Sequence, residues 1–169
     1  VELRVGAATE DLAVGEVGEI LVRGPNVMRG YWNNPKATAE AVIDGWLHTG
    51  DVGYLDEHHF LVVVDRMKDM IITGGENVYS SEVENVLSQA PDVEGCAVIG
   101  LPCDQWGEKV HAIMRGQKVS DEELIAFCRQ HLAGYKIPRS YEWTDDPFPL
   151  TSTNKINKRL LKEARRGQR

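Results

Sequence analysis

The sequence predicts an α+β protein with a strand-rich first part and a second part in which strands alternate with helices. Residues 1–65 consist largely of short apolar or alternating runs separated by glycine and acidic turns, a pattern typical of strands. From about residue 66, helix-start signals appear between the apolar runs. A hydrophobic fraction of 42% is enough to build a core. We therefore predict two domains, over residues 1–66 and 67–169.

Four strands and one helix are predicted in the first part. Asn34 and Pro35 are typical of a helix start, since asparagine caps the first turn and proline tolerates the first helical position. The helix is expected over Lys36–Val42, with a stop at Asp44–Gly45. The predicted strands are Val1–Val5 and Glu19–Arg23, separated by a turn at Gly15 and Gly18, and Asp51–Leu55 and Phe60–Val64, joined by the turn Asp56–His59.

Two helices of the second part are predicted by a capping box followed by apolar residues at helical spacing. Ser81–Glu84 is the first box, and Pro91 is expected to stop that helix. Ser120–Glu123 is the second box, and Gly134 is expected to end its helix. The apolar faces contain Val83, Val86, Leu87 and Ala90 in the first helix and Leu124, Phe127, Cys128 and Leu132 in the second.

Three strands and a basic helix complete the second part. The helix is expected to begin at about Asn157. The strands are Gly95–Gly100, Lys109–Met114 and Ser140–Trp143. Together these elements predict a small α+β domain.

Charge and cysteine content argue against several classes of protein. The net charge of −7 argues against nucleic-acid binding, although Lys155–Arg169 contains seven basic residues and one acidic residue. Cys96, Cys103 and Cys128 form no C-x-x-C pair, which argues against a disulfide framework or a zinc site. No apolar run reaches the roughly 20 residues of a transmembrane helix. We expect a cytoplasmic protein that binds no metal through this chain.

The run Trp46–Asp51 is the first candidate for chemistry. In the functional interpretation, Asp51 accepts hydrogen bonds from both ribose hydroxyls of a nucleotide, because an ionised carboxylate only accepts and can take two donors. In the structural interpretation, Asp51 caps a turn. The spacing alone favours the turn.

Two further segments each allow a structural and a functional interpretation. In Val64–Asn77, charges interrupt an apolar strand, and the pair Gly74–Gly75 precedes a helix. Adjacent glycines allow a positive φ or a close approach to the backbone. In the structural interpretation, the segment is a bulge followed by a left-handed turn. In the functional interpretation, it is a swivel followed by a backbone-lined passage for a thin ligand. In Phe148–Lys158, a polar loop presents Lys155, either as a solvated helix start or as a flexible cation for an anion.

These segments together resemble the adenylate-forming superfamily, which includes acyl- and aryl-CoA synthetases, the adenylation domains of peptide synthetases and beetle luciferase. Their order and spacing carry the resemblance, which covers essentially the whole chain. The matching segments are Gly18–Pro25, Gly30–Pro35, Trp46–Asp51, Asp65–Glu84, Gly134–Pro138 and Leu150–Lys158.

The resemblance implies the β-rich C-terminal subdomain of a large N-terminal domain, followed by a small α+β lid domain. The implied reaction activates a carboxylic acid with ATP to an acyl-adenylate and then transfers the acyl group to CoA. Asp51 and Arg66 are the implied ribose contacts of ATP or AMP. Lys155 is the implied catalytic residue of adenylation. Lys68 is the implied hinge about which the lid rotates between the two half-reactions.

The resemblance also implies a CoA site for the thioester-forming pose. Gly74 and Gly75 would let the pantetheine arm run close to the backbone, and Asn77 would order the site. The implied nucleotide contacts are Trp106 and Tyr135 to adenine, and Lys136 and Arg139 to phosphate. The alternative is that both aromatic residues pack within the small domain.

Two departures from the superfamily pattern are visible. Asn154 stands where a glycine usually precedes the catalytic lysine, and asparagine tolerates the left-handed conformation better than most residues. We therefore expect the turn to persist. Met114–Ser120 is shorter than is usual, which leaves the number of strands there open.

Several superfamily segments are absent, namely the phosphate loop, the adenine pocket, the magnesium-binding glutamate and the acyl pocket. The chain also opens in what reads as mid-strand, without signal-peptide features. We expect a fragment of a ligase that activates fatty or aryl acids, and we expect the fragment to be inactive on its own. Its partners would be a carboxylic acid, ATP, CoA, Mg²⁺ held outside this chain and the missing N-terminal body, and a homodimer stays open. The alternatives are a peptide-synthetase adenylation domain and a non-catalytic interaction module.

Overall fold

The computed structural model describes residues 2–7 and 10–166 of the chain. The chain divides into two compact units, Val1–Lys68 and Asp69–Arg169. The predicted strand residue Val1 and the terminal basic residue Arg169 lie outside the described residues. No helix in the described part of the chain is long and apolar enough to cross a membrane.

The first unit is an antiparallel sheet with one short helix. Its elements are β1 (Glu2–Ala7), β2 (Glu10–Asp11), β3 (Gly18–Arg23), α1 (Pro35–Ala41), β4 (Val42–Ile43), β5 (Trp46–Leu55) and β6 (Leu61–Arg66). The strand order is β2-β1-β3-β5-β4, and β6 pairs with β5. Its buried apolar residues are Val5, Ile20, Leu21 and Val52.

The four strands predicted in this unit are present, and β2 and β4 are additional. Both additional strands have only two residues, too few for a recognisable alternation in the sequence. Asp44 and Gly45 were predicted to end the helix, which is wrong. They form the turn between β4 and β5, with φ values of 50° and 80°.

Helix α1 begins as predicted and ends one residue early. The Asn34 side chain accepts a hydrogen bond from the Ala37 amide at 3.0 Å, and Pro35 is the first helical residue. The helix ends at Ala41 because Val42 has an extended backbone (φ −119°, ψ 103°) and pairs with Leu47 of β5. The sheet therefore determines where this helix stops.

The described part of the second unit contains a five-stranded sheet and three α-helices. Its elements are β7 (Ile71–Thr73), β8 (Glu76–Val78), α2 (Ser80–Leu87), β9 (Val93–Cys103), β10 (Gly107–Gly116), α3 (Asp121–Cys128), β11 (Ser140–Trp143) and α4 (Lys158–Arg165). The order is β11-β10-β7-β8, with β9 also paired to β10. Only β10 and β11 run parallel among the described pairs of this sheet.

The long β9–β10 hairpin separates two apolar clusters, because successive strand side chains point to opposite faces. Helices α2 and α3 pack on one face, and α4 packs on the other. The first cluster includes Ile71, Val83, Leu87, Val98, Val110, Met114, Leu124 and Cys128, and the second includes Ala97, Ile99, Leu101, Ile113 and Leu161. Cys96, Cys103 and Cys128 are free thiols.

One predicted capping box is present and the other is not. Ser120 and Glu123 cap α3 reciprocally. At α2, the N-cap is Tyr79 and no side chain caps it, so the box predicted at Ser81–Glu84 is wrong. Glu84 instead accepts a 2.7 Å hydrogen bond from the Val98 amide of β9. The carboxylate that local spacing assigned to the helix start is engaged by the sheet.

Both helices also end earlier than predicted. Helix α2 ends at Leu87 rather than at Pro91, and α3 ends at Cys128. Gly134 does not terminate α3. It opens a separate 3-10 helix, Gly134–Lys136, without a positive φ.

Charged side chains hold the far end of α4 against the sheet. Arg165 donates from Nε to Glu142 of β11 at 2.8 Å. Nearby, His111 of β10 is buried, with its Nδ1 2.8 Å from the Ser140 hydroxyl and its Nε2 3.5 Å from a Glu142 oxygen. Burial lowers the pKa of His111 below its ordinary value of 6.5. The Arg165 hydrogen bonds lower the pKa of Glu142 below its ordinary value of 4.5.

This network predicts that acid destabilises the second unit. The folded protein holds His111 neutral, so its contribution is complete above pH 6.5 and is lost as the pH falls below that value. The Glu142 contribution is lost as the pH falls below 4.5. We expect the unfolding temperature of the chain to fall between about pH 7.5 and about pH 5.5, and to fall less in His111→Gln, whose side chain does not titrate. Identical pH profiles would show that His111 does not contribute.

Candidate functional site

A β-bulge in β5 determines where Asp51 lies. The pairing of β3 with β5 jumps from Glu19 opposite Val52 to Leu21 opposite His48. Residues 49–51 are therefore the bulge, and Gly50 within it has a φ of 72°, which favours glycine. Bulges re-aim side chains and often lie beside active sites.

Hydrogen bonds from β3 hold this bulge. The Thr49 hydroxyl donates to the Ile20 carbonyl at 2.7 Å and accepts from the Asp51 amide at 3.1 Å. The Gly50 amide donates to a Glu19 carboxylate oxygen at 3.2 Å. The other Glu19 oxygen lies 2.7 Å from a ring nitrogen of His48. The bulge that leads to Asp51 is thus fixed to β3 through Ile20 and Glu19.

Asp51 and Arg66 line one open pocket of the first unit. Arg66 Nε lies 3.6 Å from Asp51 Oδ1, and both side chains are about half exposed. Such a pair stabilises the fold little, and an ionised carboxylate with one loose partner keeps room for further donors. Asp51 caps no turn among the described residues. The pocket, of about 580 Å³, is lined by Thr49, Gly50, Asp51, Arg66, Met67 and Lys68.

Lys68 lies at the end of the first unit. It belongs to the single 3-10 turn Met67–Asp69 that follows β6, and its side chain is exposed. The division between the two units falls immediately after it. A short turn with an exposed side chain has little packing that would resist a change of backbone angles.

Gly74 and Gly75 form the two-residue turn between β7 and β8. Their φ values are 61° and 86°, and two successive positive values are typical of a tight hairpin turn. They precede helix α2 as predicted, with the short strand β8 between the turn and the helix. The Gly74 amide donates to the Trp106 carbonyl at 2.8 Å. A Cβ at Gly74 would lie only 3.0 Å from the Trp106 ring.

The predicted CoA residues form two neighbouring groups in the second unit. In the first, the exposed guanidinium of Arg139 stacks 4.6 Å from the centroid of a Trp106 ring, beside Gly74. In the second, Tyr135 and Lys136 form the 3-10 helix that lies against β8, the strand carrying Asn77.

Lys136 is already engaged by an acidic residue that the sequence did not indicate. Its Nζ lies 2.7 and 2.8 Å from the two carboxylate oxygens of Glu82. It also lies 5.8 Å from the Tyr135 ring. An anion approaching Lys136 would therefore compete with Glu82.

Lys155 stands on a tight surface turn. The Thr151 amide donates to the Lys155 carbonyl at 2.7 Å, and the Lys155 amide donates to the Thr151 hydroxyl at 3.2 Å. Asn154 has a φ of 63°, so the expectation that asparagine sustains this turn is confirmed. The Lys155 side chain is exposed, and its ammonium has no hydrogen-bond partner in the part of the chain that the structure describes. It is free to contact an anion.

Comparison with known proteins finds a family match within the second unit. Residues 82–155 match the family of AMP-binding enzyme C-terminal domains. The chain carries an AMP-binding enzyme C-terminal domain. The predicted relationship to the adenylate-forming superfamily is confirmed, and so is the predicted α+β fold class.

This AMP-binding C-terminal domain and the preceding sheet both have close relatives. The chain is 52% identical over 156 residues to a feruloyl-CoA synthase of an Amycolatopsis species, covering 90% of this chain and 32% of that protein. It is 44% identical over 160 residues to a long-chain-fatty-acid–CoA ligase of Salmonella typhimurium, covering 94% and 28%. The chain thus spans about a third of the length of these relatives.

A solved structure has the same fold over nearly the whole chain. The o-succinylbenzoate CoA synthetase of Bacillus subtilis, in complex with its acyl-adenylate intermediate, matches with a TM-score of 0.89 and 42% identity. The match covers 95% of this chain and 33% of that one. The likeness therefore includes the β-rich first unit as well as the AMP-binding C-terminal domain.

The second unit contains a second lysine that the sequence analysis did not single out. Lys158, three residues after Lys155, is mostly buried, and its Nζ lies 2.7 Å from the Ser80 hydroxyl and 2.7 Å from a Glu84 carboxylate oxygen. It is one of seven basic residues in Lys155–Arg169, and nothing in the neighbouring sequence distinguishes it from Lys155. Only the approach of α2 to α4 separates the buried lysine from the exposed one.

Proposed function

We propose that the chain is the C-terminal portion of an ATP-dependent carboxylate–CoA ligase. The observation that carries the proposal is the exposed ammonium of Lys155, on a turn held by its own backbone, within an AMP-binding C-terminal domain. The similarity to a feruloyl-CoA synthase and a long-chain-fatty-acid–CoA ligase supports thioester formation with CoA. Alone, the chain is inactive, because the body that binds most of ATP and the acid is not part of it.

Asp51 and Arg66 hold the ribose of ATP, and later of AMP. The Asp51 carboxylate accepts hydrogen bonds from the two ribose hydroxyls, a role that suits a group that only accepts hydrogen bonds. Arg66 donates to the same sugar and stays within reach of Asp51. The pocket that both residues line in the first unit is the sugar end of the nucleotide site.

Lys155 is the catalytic cation of the first half-reaction. A carboxylate oxygen of the acid attacks the α-phosphorus of ATP, a new P–O bond forms, and the bond to the β-phosphate breaks to release pyrophosphate. Two anions approach one another as charge develops on the α-phosphate. An ammonium between them stabilises this negative charge. The stabilisation is stronger in an active site from which water is excluded.

The second half-reaction uses another surface of the same domain. The sulfur of CoA attacks the acyl carbonyl carbon, AMP leaves with the bonding electron pair, and the thiol proton passes to solvent. A rotation about Lys68 exchanges the two surfaces. Gly74 and Gly75 line the path of the pantetheine arm, and Asn77 orders it. Trp106 and Arg139 contact the nucleotide of CoA together with Tyr135 and, once Glu82 releases it, Lys136.

The acid belongs to the aryl or fatty class, the classes of the feruloyl-CoA synthase and the long-chain-fatty-acid–CoA ligase among the relatives. The described residues contain no cluster of His, Cys, Asp and Glu suited to a metal ion. We assign Mg²⁺ to the rest of the enzyme. A cytoplasmic setting and a role in fatty-acid metabolism remain part of the proposal, and a homodimer stays open.

The proposal is tested on the full-length enzyme that contains this chain. We expect acid-dependent exchange of pyrophosphate into ATP in a screen of fatty and aryl acids, and an acyl-CoA product once CoA is added. The control is the same assay on this chain alone, which should give neither. Exchange without any CoA thioester would favour a peptide-synthetase-like adenylation domain. The absence of exchange with every acid would favour the non-catalytic interaction module.

A further inference from the structure

The start of α4 is tied to α2 by one buried lysine. The Lys158 side chain is only 12% exposed, and the Glu84 carboxylate that it pairs with is 22% exposed. Ser80, the other partner, is fully buried. Glu84 also accepts from the Val98 amide, so the cation is joined through it to the central hairpin. The tie is therefore a connected and largely desolvated network, unlike a surface ion pair.

The turn that carries Lys155 has few other attachments to the domain. Residues 152–155 are exposed and bury no side chain that would hold them in place. Within the turn, the bonds join Thr151 to Asn154 and Lys155 and do not reach the rest of the domain. The nearest attachments are the Ile156 side chain, which packs against the second apolar cluster, and the bridge between Leu150 and Ile156. The bond from the Asn157 amide to the Pro149 carbonyl, at 2.7 Å, and the adjacent Lys158 tie follow. The Lys158 tie is the one of these attachments that joins the start of α4 to α2.

We propose that Lys158 positions Lys155 for adenylation by tying the start of α4 to Ser80 and Glu84 of α2. This inference rests on the role of Lys155 under the proposed function. Lys158 touches no substrate and acts through the turn. Without the tie, the first turn of α4 can shift, and the reach of Lys155 becomes variable. Reactions that depend on placement lose about 100-fold for a displacement of about 1 Å.

The tie also connects the surfaces that serve the two half-reactions. Helix α2 begins two residues after β8, and β8 is the second strand of the hairpin whose turn is formed by Gly74 and Gly75. Lys158 thus links the Lys155 turn to the segment that follows the proposed path of the pantetheine arm. A domain that presents two surfaces alternately must keep both surfaces fixed relative to each other while it rotates.

The test compares variants of the full-length enzyme in the two half-reactions, measured separately. We expect Lys158→Met to lower the rate of acyl-adenylate formation by about 10- to 100-fold, with KM for ATP nearly unchanged. Thioester formation from preformed acyl-adenylate should be nearly unaffected. Lys158→Arg, which keeps the charge, should recover part of the lost rate. The matched control is Arg159→Met, an exposed neighbour in the same helical turn paired only with Glu163 among the described residues, which should leave both rates unchanged.

A double variant separates positioning from a general structural effect. If Lys158 acts through Lys155, then Lys155→Ala combined with Lys158→Met should be no slower in adenylation than Lys155→Ala alone. Multiplying losses, or equal losses in both half-reactions, would overturn the inference. Should Lys158→Met fail to fold, Glu84→Gln keeps the shape of the tie and removes its charge, and it should slow adenylation alone.

The inference and the proposed function can fail separately. If Lys155→Ala does not slow adenylation, the proposed role of Lys155 fails, and the positioning inference fails with it. If Lys155→Ala slows adenylation but folded Lys158→Met and Glu84→Gln do not, only the positioning inference is overturned.

Discussion

Replacing Lys155 by alanine in the full-length enzyme is expected to lower the rate of acyl-adenylate formation by about 100- to 1000-fold. The ammonium is the one group of this turn that can neutralise the charge developing between the acid and the α-phosphate. Its removal should leave thioester formation from preformed acyl-adenylate largely intact, because that step uses another surface of the domain. Folding should be unaffected, since the Lys155 side chain is exposed.

The measurement compares single-turnover acyl-AMP formation with acyl transfer to CoA from supplied acyl-AMP. Lys155→Arg is an informative companion, because a planar guanidinium keeps the charge and changes its shape. It should fall between the wild type and the alanine variant. Arg159→Ala is the matched control for loss of one positive charge nearby. Equal losses in both half-reactions for Lys155→Ala would contradict the assigned role.

Replacing Lys68 by proline is expected to impair one half-reaction at least about tenfold more than the other. Proline locks φ near −65° and removes the amide donor. If the second unit rotates about this residue, one of the two poses requires a backbone angle that proline cannot adopt. The enzyme should then accumulate either substrate or acyl-adenylate, depending on which pose is retained.

Lys68→Ala is the control, since it removes the charge and keeps the freedom of the backbone. It should preserve the ratio of the two half-reaction rates. Quenched-flow analysis of acyl-AMP and acyl-CoA in single turnovers distinguishes the outcomes. A proline variant in which both steps proceed normally would show that the rotation does not occur at Lys68.

Elements specified by neighbouring residues were predictable. Asn34 and Pro35 start α1, and Ser120 and Glu123 cap α3, because each cap acts over one turn of helix. Asn154 sustains the Lys155 turn for the same kind of reason, since its φ depends on the residue itself. The six superfamily segments lie in the expected order along the chain, so the family was recognisable without coordinates.

Features decided by distant residues were not predictable. Glu84 has the spacing of a helix cap, but it bonds with Val98 and Lys158 instead, because β9 and α4 approach α2. Helix α1 stops where Val42 joins the sheet, which takes precedence over the Asp44–Gly45 turn signal. In each case a tertiary contact competes with a local preference worth only about 1 kcal/mol, and the contact prevails.

The sequence alone determined the α+β class and the relationship to the adenylate-forming enzymes. It also determined the choice of Lys155 and Asp51 as candidate site residues. These depend on periodicity, turn-forming residues and the order of segments, which are properties of the chain itself. Only the tertiary structure showed that a bulge re-aims Asp51, that Glu82 engages Lys136, and that Lys158 is buried while Lys155 is exposed. Lys158 and Ser80 are 78 residues apart. Their contact exists only after the sheet has brought α2 and α4 together.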